Sequence, residues 1–339
     1  MAEKQKFTIL SFVGGGIRGL MSVTILNKLY TKYPQIIDNT DLIAGCSTGS
    51  IITSELLAGT KPQDLITFFT TKEIDFYNKM NTDPNVPAYS IDEVFASQLK
   101  LHPTAKVSDL GRCALFVSFN VGGAGLKDGV KTPTPWEPVM YTNMIADHGD
   151  VLVAKAATSS GAMPGQLGSY EGNIDGAFFN HDPTVAAIAL AVKAGYALED
   201  ITAITIGTGL MYDWIVSDTH NWGANQWMTG TPNPFNVTPP FLMNQSTPGP
   251  VLDASLSGTS AQIMPMLAGF LLGDRYANVN PTLPFFIPEN TTYPQAIDLL
   301  QSKGKSADTA KAEALLQAYW VNHSLGPVTP PAHASANRA

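Results

Sequence analysis

The sequence predicts an α/β fold, a sandwich of helices around a mainly parallel sheet. Strand-like and helix-like segments alternate twice within the first sixty residues, and each of the two strands runs into a turn containing glycine that opens a helix. That order belongs to parallel strands joined by crossover helices. Composition agrees: of 339 residues, 44% are hydrophobic and only 14% charged, with 29 Gly and 24 Pro. Globular chains average about 25% charged. Disorder needs the opposite balance, high charge and low hydrophobicity. No Gly-X-Y period and no sustained heptad is present, which excludes collagen and coiled coil.

Phe7 to Val13 is β-rich and almost wholly apolar, as a strand buried on both faces would be. Gly14, Gly15 and Gly16 follow, and Leu20, Val23, Ile25, Leu26 and Leu29 then line one helical face until Pro34. Asp41 to Gly45 is a second strand, and Ile51 to Leu57 a helix stopped by Gly59. Ala114 to Phe119 and Ile201 to Ile206 read as further strands. Residues 151–158, 184–194, 261–272 and 307–324 read as helices. Residues 121–138, rich in Gly and Pro, read as an exposed loop. Residues 211–260 lose periodicity and carry Trp214, Trp222 and Trp227; they are expected to form a loop-rich cap, acting either as a lid or lipid-contacting surface or as ordinary packing. A single domain over residues 1–325 and a loose tail over 326–339 complete the expectation.

The formal net charge is −8, from 20 Lys+Arg against 28 Asp+Glu, and Lys and Arg never cluster. Binding to nucleic-acid polymers, which leaves a basic footprint, is not expected. Cys46 and Cys113 are too few for a disulfide scaffold. No apolar run approaches the roughly 20 residues of a membrane span. A soluble, cytoplasmic protein is the expectation.

Two segments carry chemistry. Gly45-Cys46-Ser47-Thr48-Gly49 places a serine in Gly-x-Ser-x-Gly between a strand and a helix. Small flanking residues allow a sharp turn that projects the hydroxyl at a helix N-terminus, where developing negative charge is favoured. A plain N-cap serine would look the same. Gly14-Gly15-Gly16-Ile17-Arg18-Gly19 directly follows the first strand. It reads as Gly-x-Gly-x-x-Gly of a dinucleotide site, as a set of backbone donors for an oxyanion, or as a plain tight turn. Asp38 and Asp41 stand near the spacing of the ribose-binding acid, but both precede the second strand instead of ending it. A base for Ser47 could be Asp175, in a Gly-rich segment ahead of a helix, or His181 six residues on. His102, His148, His220, His323 and His333 show no spacing that points to chemistry, and no cluster has metal-ligand spacing.

Taken in order, the glycine loop, the Ser47 pentapeptide and Asp175-Gly176-Ala177 resemble the patatin-like phospholipase family, and Ile206-Gly207-Thr208-Gly209 is similar to a strand end in that family. The resemblance covers roughly residues 7–210. It implies a three-layer α/β/α sandwich and a hydrolase of phospholipid or other lipid esters, with Ser47 as nucleophile and Asp175 as base. Gly15, Gly16, Ile17 and Arg18 would form the oxyanion loop, Arg18 helping to fix it. Gly14, Gly19, Gly45, Gly49 and Gly176 would support the turns. No cofactor and no metal is implied. Transient contact with a membrane surface and an activating small molecule or protein are compatible with it. Val13 stands where Asp or Ser is frequent in the family, and Ala177 where Gly is common. The rival expectations are a nucleotide-binding α/β protein and a lipid-sensing module without turnover.

Overall fold

The computed structural model describes residues 6–127, 130–146, 149–211, 215, 218–230, 249–256 and 262–326. In chain order its first elements are β1 (Phe7–Phe12), α1 (Gly19–Lys32), β2 (Leu42–Cys46), α2 (Thr48–Leu57), α3 (Pro62–Thr70), α4 (Lys72–Tyr77) and α5 (Ile91–Leu101). Then come β3 (Cys113–Asn120), β4 (Gly123–Lys127), β5 (Val130–Thr134), β6 (Glu137–Thr142), α6 (Val153–Ser160), β7 (Asn173–Asp175), α7 (Ala177–Asn180), α8 (Thr184–Lys193) and β8 (Ile201–Ile206). The remainder is α9 (Ala224–Thr229), α10 (Pro250–Asp253), α11 (Ile263–Leu272), β9 (Tyr276–Val279), α12 (Pro294–Ser306) and α13 (Ala310–Leu315).

The main sheet runs β6-β3-β2-β1-β8-β9. β3, β2, β1, β8 and β9 are parallel, while β6 and β7 pair antiparallel with β3. Because side chains alternate across a strand, β1 divides its apolar residues between two layers. Leu10 and Phe12 pack with α1, α3 and α12, whereas Phe7 and Ile9 pack with α8 and α11. This is a three-layer α/β/α sandwich with a mainly parallel sheet, and the apolar runs of β1, β2 and β8 are buried along their whole length.

Residues 121–138 depart from the expected loop. They form the β4–β5 ribbon and the start of β6. Pro133 sits in a two-stranded ribbon and Pro138 in an edge strand, where a missing N–H costs least. The expected cap holds α9 and α10, but residues 212–214, 216–217, 231–248 and 257–260, Trp214 among them, lie outside the described residues. So do His148, His333 and residues 327–339.

The last described segment is tied down at the N-terminal ends of the strands. Asp41 Oδ2 accepts from the Thr8 N–H at 2.7 Å and from the Thr8 hydroxyl at 3.0 Å, and faces His323 Nε2 at 2.6 Å. Its Oδ1 accepts from the Gly326 N–H at 2.8 Å. The Trp320 indole N–H donates to Thr40 Oγ1 beside it. One buried carboxylate therefore joins β1, β2 and the C-terminal segment. Leaving these buried donors unmatched carries a large penalty. Asp41→Ala is expected to lower unfolding free energy in urea by about 3 kcal/mol, and Asp41→Asn, which keeps one acceptor, by less.

Candidate active site

The C-terminal ends of β1 and β2 carry the two glycine-bearing turns, where open α/β sheets place their sites. Ser47 links β2 to α2 with φ 54° and ψ −125°, a strained conformation for a residue with a side chain. Close packing holds it there: a Cβ on Gly45 would lie 2.3 Å from the Gly49 carbonyl oxygen, and one on Gly49 2.2 Å from that of Phe12. The Ser47 N–H donates to Ser160 Oγ at 3.0 Å, and the Ser50 hydroxyl donates to the same oxygen at 2.7 Å. Ser160 closes α6, so a third element braces the turn. Nothing in the local sequence singles it out.

Asp175 reaches Ser47 through strand pairing. β2 pairs with β3 as far as Cys46↔Val117, and β7 then takes the same edge of β3, beginning at Ser118↔Asp175. The carboxyl is fully buried. Its Oδ1 accepts from the Ala177 N–H at 2.8 Å and from the Cys46 thiol at 3.7 Å. Among the described residues no close hydrogen bond reaches its Oδ2, and the Ser47 hydroxyl lies near enough to the carboxyl to act on it. Burial pushes this group up to about 7, against the opposing pull of the Ser47 hydroxyl and the Ala177 N–H. An aspartate in this setting exchanges a proton near neutral pH, as a general base must.

The glycine loop bends beside the serine. Gly15 and Gly16 have φ of 148° and 55°, values that a side chain would resist. Thr208 Oγ1 donates to the Gly14 carbonyl at 2.5 Å, which gives the Gly207-Thr208-Gly209 strand end its place in the site. Of the four expected oxyanion donors, two are already engaged. The Ile17 N–H donates to the Glu289 carbonyl at 2.7 Å, and the Arg18 N–H to that of Gly15 at 3.1 Å. Gly15 and Gly16 keep backbone N–H groups without a partner among the described residues. Arg18 acts through its side chain instead: it pairs with Glu289 Oε1 at 3.0 Å and donates to the Ile287 carbonyl at 2.8 Å. Glu289, some 270 residues distant in sequence, is a site residue that no local motif announces.

His181 also lies close. Its Nε2 and Ser47 Cβ stand 2.8 and 2.9 Å from the point where a Gly14 side chain would begin. Its Nδ1 meets the Leu256 carbonyl at 3.3 Å. Burial lowers its pKa, which keeps the ring neutral, and among the described residues no carboxylate hydrogen-bonds to it. His102 and His323 are structural, bonded to the Ser54 carbonyl and to Asp41. The dinucleotide reading loses its acid: Asp41 is buried at the opposite end of β2 from the glycine loop. Among the described residues no group of three or more His, Cys, Asp or Glu side chains is placed to hold a metal ion.

Ser47 opens into a cleft of about 330 Å³. Ile51, Phe68, Phe76, Val94, Met163 and Leu167 supply its apolar lining. These walls come from α2–α5 and the turn after α6, segments in which no motif pointed to a pocket. Their signal was an aromatic cluster, Phe76, Tyr77 and Tyr89, with ring centroids 5.2–5.5 Å apart. Glu73 on the wall is pushed up to about 7 by burial, opposed by a hydrogen bond from Tyr77.

A family profile described as patatin-like phospholipase matches residues 10–188. The chain belongs to the patatin-like phospholipase family. It is 25% identical to protein teg of Priestia megaterium over 327 residues, 93% of this chain and 99% of teg. It is 26% identical over 337 residues, 93% of this chain and 98% of the relative, to CotR of Bacillus subtilis, whose name assigns it provisionally to sporulation hydrolases. Among solved structures, VipD of Legionella pneumophila aligns with a TM-score of 0.32 and 12% identity, over 60% of this chain and 50% of VipD. ExoU of Pseudomonas aeruginosa, solved in complex with SpcU, aligns with a TM-score of 0.28 and 15% identity, over 48% of this chain and 39% of ExoU. Membership places the protein among lipid acyl hydrolases.

Cys46 has a testable part in this arrangement, because its thiol donates to Oδ1 of Asp175. Cys46→Ala removes a donor that lowers the Asp175 pKa. The acid limb of kcat/KM on a soluble ester is therefore expected to move to higher pH, and Cys46→Ser to restore it.

Proposed function

We propose that the protein hydrolyses ester bonds of phospholipids or related lipids through Ser47 and Asp175. The observation that carries this reading is the free, fully buried Oδ2 of Asp175 beside a serine held on a strained elbow. In the first half-reaction the Ser47 oxygen attacks the ester carbonyl carbon as Asp175 takes the hydroxyl proton. The Gly15 and Gly16 N–H groups face the oxygen that becomes negative, and the N-terminus of α2 adds its dipole. The intermediate collapses, the carbon–oxygen bond to the alcohol breaks, and Asp175 returns its proton to the departing oxygen. Water then attacks the acyl-serine, gives its proton to Asp175, and releases the acid as Ser47 recovers a proton. The acyl chain lies along the apolar cleft lined by Ile51, Phe68 and Leu167.

Arg18 and Glu289 act by positioning, since the pair fixes the backbone that carries the oxyanion donors.

Turnover on short-chain phospholipids and p-nitrophenyl esters tests the reading with three variants. Ser47→Ala and Asp175→Asn are each expected to lose at least about 10³-fold in kcat with unchanged folding. His181→Asn should keep most of it. Because the base must be deprotonated, kcat/KM of the parent protein is expected to rise with pH through about 7 and then level. Full activity in Asp175→Asn together with loss in His181→Asn would transfer the base to the histidine.

A further inference from the structure

The one residue that helix α5 buries fully is polar. Ile91, Val94 and Gln98 follow the three- and four-residue spacing of an apolar stripe. Gln98 takes its innermost place, 2% exposed, where an apolar residue would be expected. His102, one turn further on, is matched by the Ser54 carbonyl of α2 at 2.9 Å. Gln98 has no such match: among the described residues no hydrogen bond reaches its side-chain oxygen. Buried side-chain atoms of Arg18, Thr53, Ser54, Asp175, Asn180 and Asp182 share that condition. Of these residues and Gln98, only Gln98 lines the cleft into which Ser47 opens. An unmatched amide in an apolar wall costs free energy, and this one sits where a substrate lies.

Given the lipid-ester reading of the Ser47 site, on which this rests, we propose that Gln98 selects substrates that carry a hydroxyl group in the part held within the cleft. A primary amide has a donor end and an acceptor end, and the soft torsion of its last bond turns either toward a ligand. An ether or ester oxygen only accepts, so it leaves the Gln98 oxygen unmatched. A hydroxyl both donates and accepts, and it pairs with the amide in either orientation. A plain alkyl chain laid over Gln98 seals the amide away from water with no partner, and sites built to bond a substrate hydroxyl discriminate against such analogues.

Space limits the occupant to a single chain. At about 30 Å³ for a group the size of a water molecule, a cleft of about 330 Å³ takes about eleven such groups. That is one medium-length acyl chain with its ester, and two chains do not fit. The hydroxyl then comes from one of two sources. It is either the free glycerol hydroxyl of a monoacyl lipid or a hydroxyl carried on the acyl chain itself.

Two pairs of soluble esters separate these sources. Monooctanoylglycerol against propyl octanoate varies the hydroxyl in the alcohol, and methyl ω-hydroxyoctanoate against methyl octanoate varies it on the chain. With the full chain, one pair is expected to favour its hydroxylated member at least about tenfold in kcat/KM, and that pair names the source. Gln98→Met, close in shape but without hydrogen-bonding ends, should bring the ratio within about twofold of unity. Its unfolding midpoint in urea should equal or exceed that of the parent protein, because an unmatched buried group has been removed. Calorimetric binding of the same pairs to Ser47→Ala reads the preference without turnover, and Ser47→Ala/Gln98→Met should lose it. Three results overturn the proposal: ratios near unity for both pairs in the parent protein, a preference that survives Gln98→Met, or a Gln98→Met protein that unfolds more readily, which would give the amide a structural partner. A binding preference that depends on Gln98 in a parent protein without turnover supports the role of Gln98 and fails only the catalytic reading.

Discussion

One edge of β3 serves two strands, and the site depends on that sharing. β2 occupies it up to Val117 and β7 from Ser118 onward. A parallel strand leading into Ser47 and an antiparallel strand ending in Asp175 therefore meet end to end, held by the same backbone ladder. Hydrogen-bond register is quantised, because a slip by one residue would turn Asp175 to the other face. Ser47 and Asp175 are thus positioned by main-chain pairing, with Ser160 bracing the elbow and the Cys46 thiol and Ala177 N–H orienting the carboxyl.

Burial then sets the chemistry. A carboxylate in water would be too weak a base, and full exclusion of solvent raises it to about 7. The same exclusion strengthens the pull of the Gly15 and Gly16 N–H groups on any negative oxygen. Those donors have no partner among the described residues, whereas the next two in the loop are tied back, Ile17 to the Glu289 carbonyl and Arg18 to that of Gly15. Strain at Ser47 and at the glycines is offset by packing elsewhere, in the two apolar layers and the Asp41 junction at the far end of the sheet.

Much of this was legible in the sequence because it depends on local rules. Apolar strands followed by glycine turns gave the parallel sheet, and the elbow required small residues on both sides of Ser47. Elements whose stability comes from distant partners were not legible. β7 has three residues and no periodicity, and exists only as the continuation of β2 along β3. Residues 121–138 looked like a loop because Gly and Pro dominate them, yet an edge ribbon tolerates both. Glu289 and Ser160 belong to the site through tertiary contact alone. The cleft walls of α3–α5 were overlooked because amphipathic helices announce a core and not a cavity.

The central claim is that Ser47 is the nucleophile and Asp175 its base, with the oxyanion against Gly15 and Gly16. Reaction with an alkyl fluorophosphonate, followed by peptide mass mapping and a crystal structure of the adduct, tests it most directly. The account predicts one adduct, on Ser47, its phosphoryl oxygen within hydrogen-bond distance of the Gly15 and Gly16 N–H groups, and labelling abolished in Asp175→Asn. An adduct on another residue, or a phosphoryl oxygen turned away from the glycine loop, would contradict it.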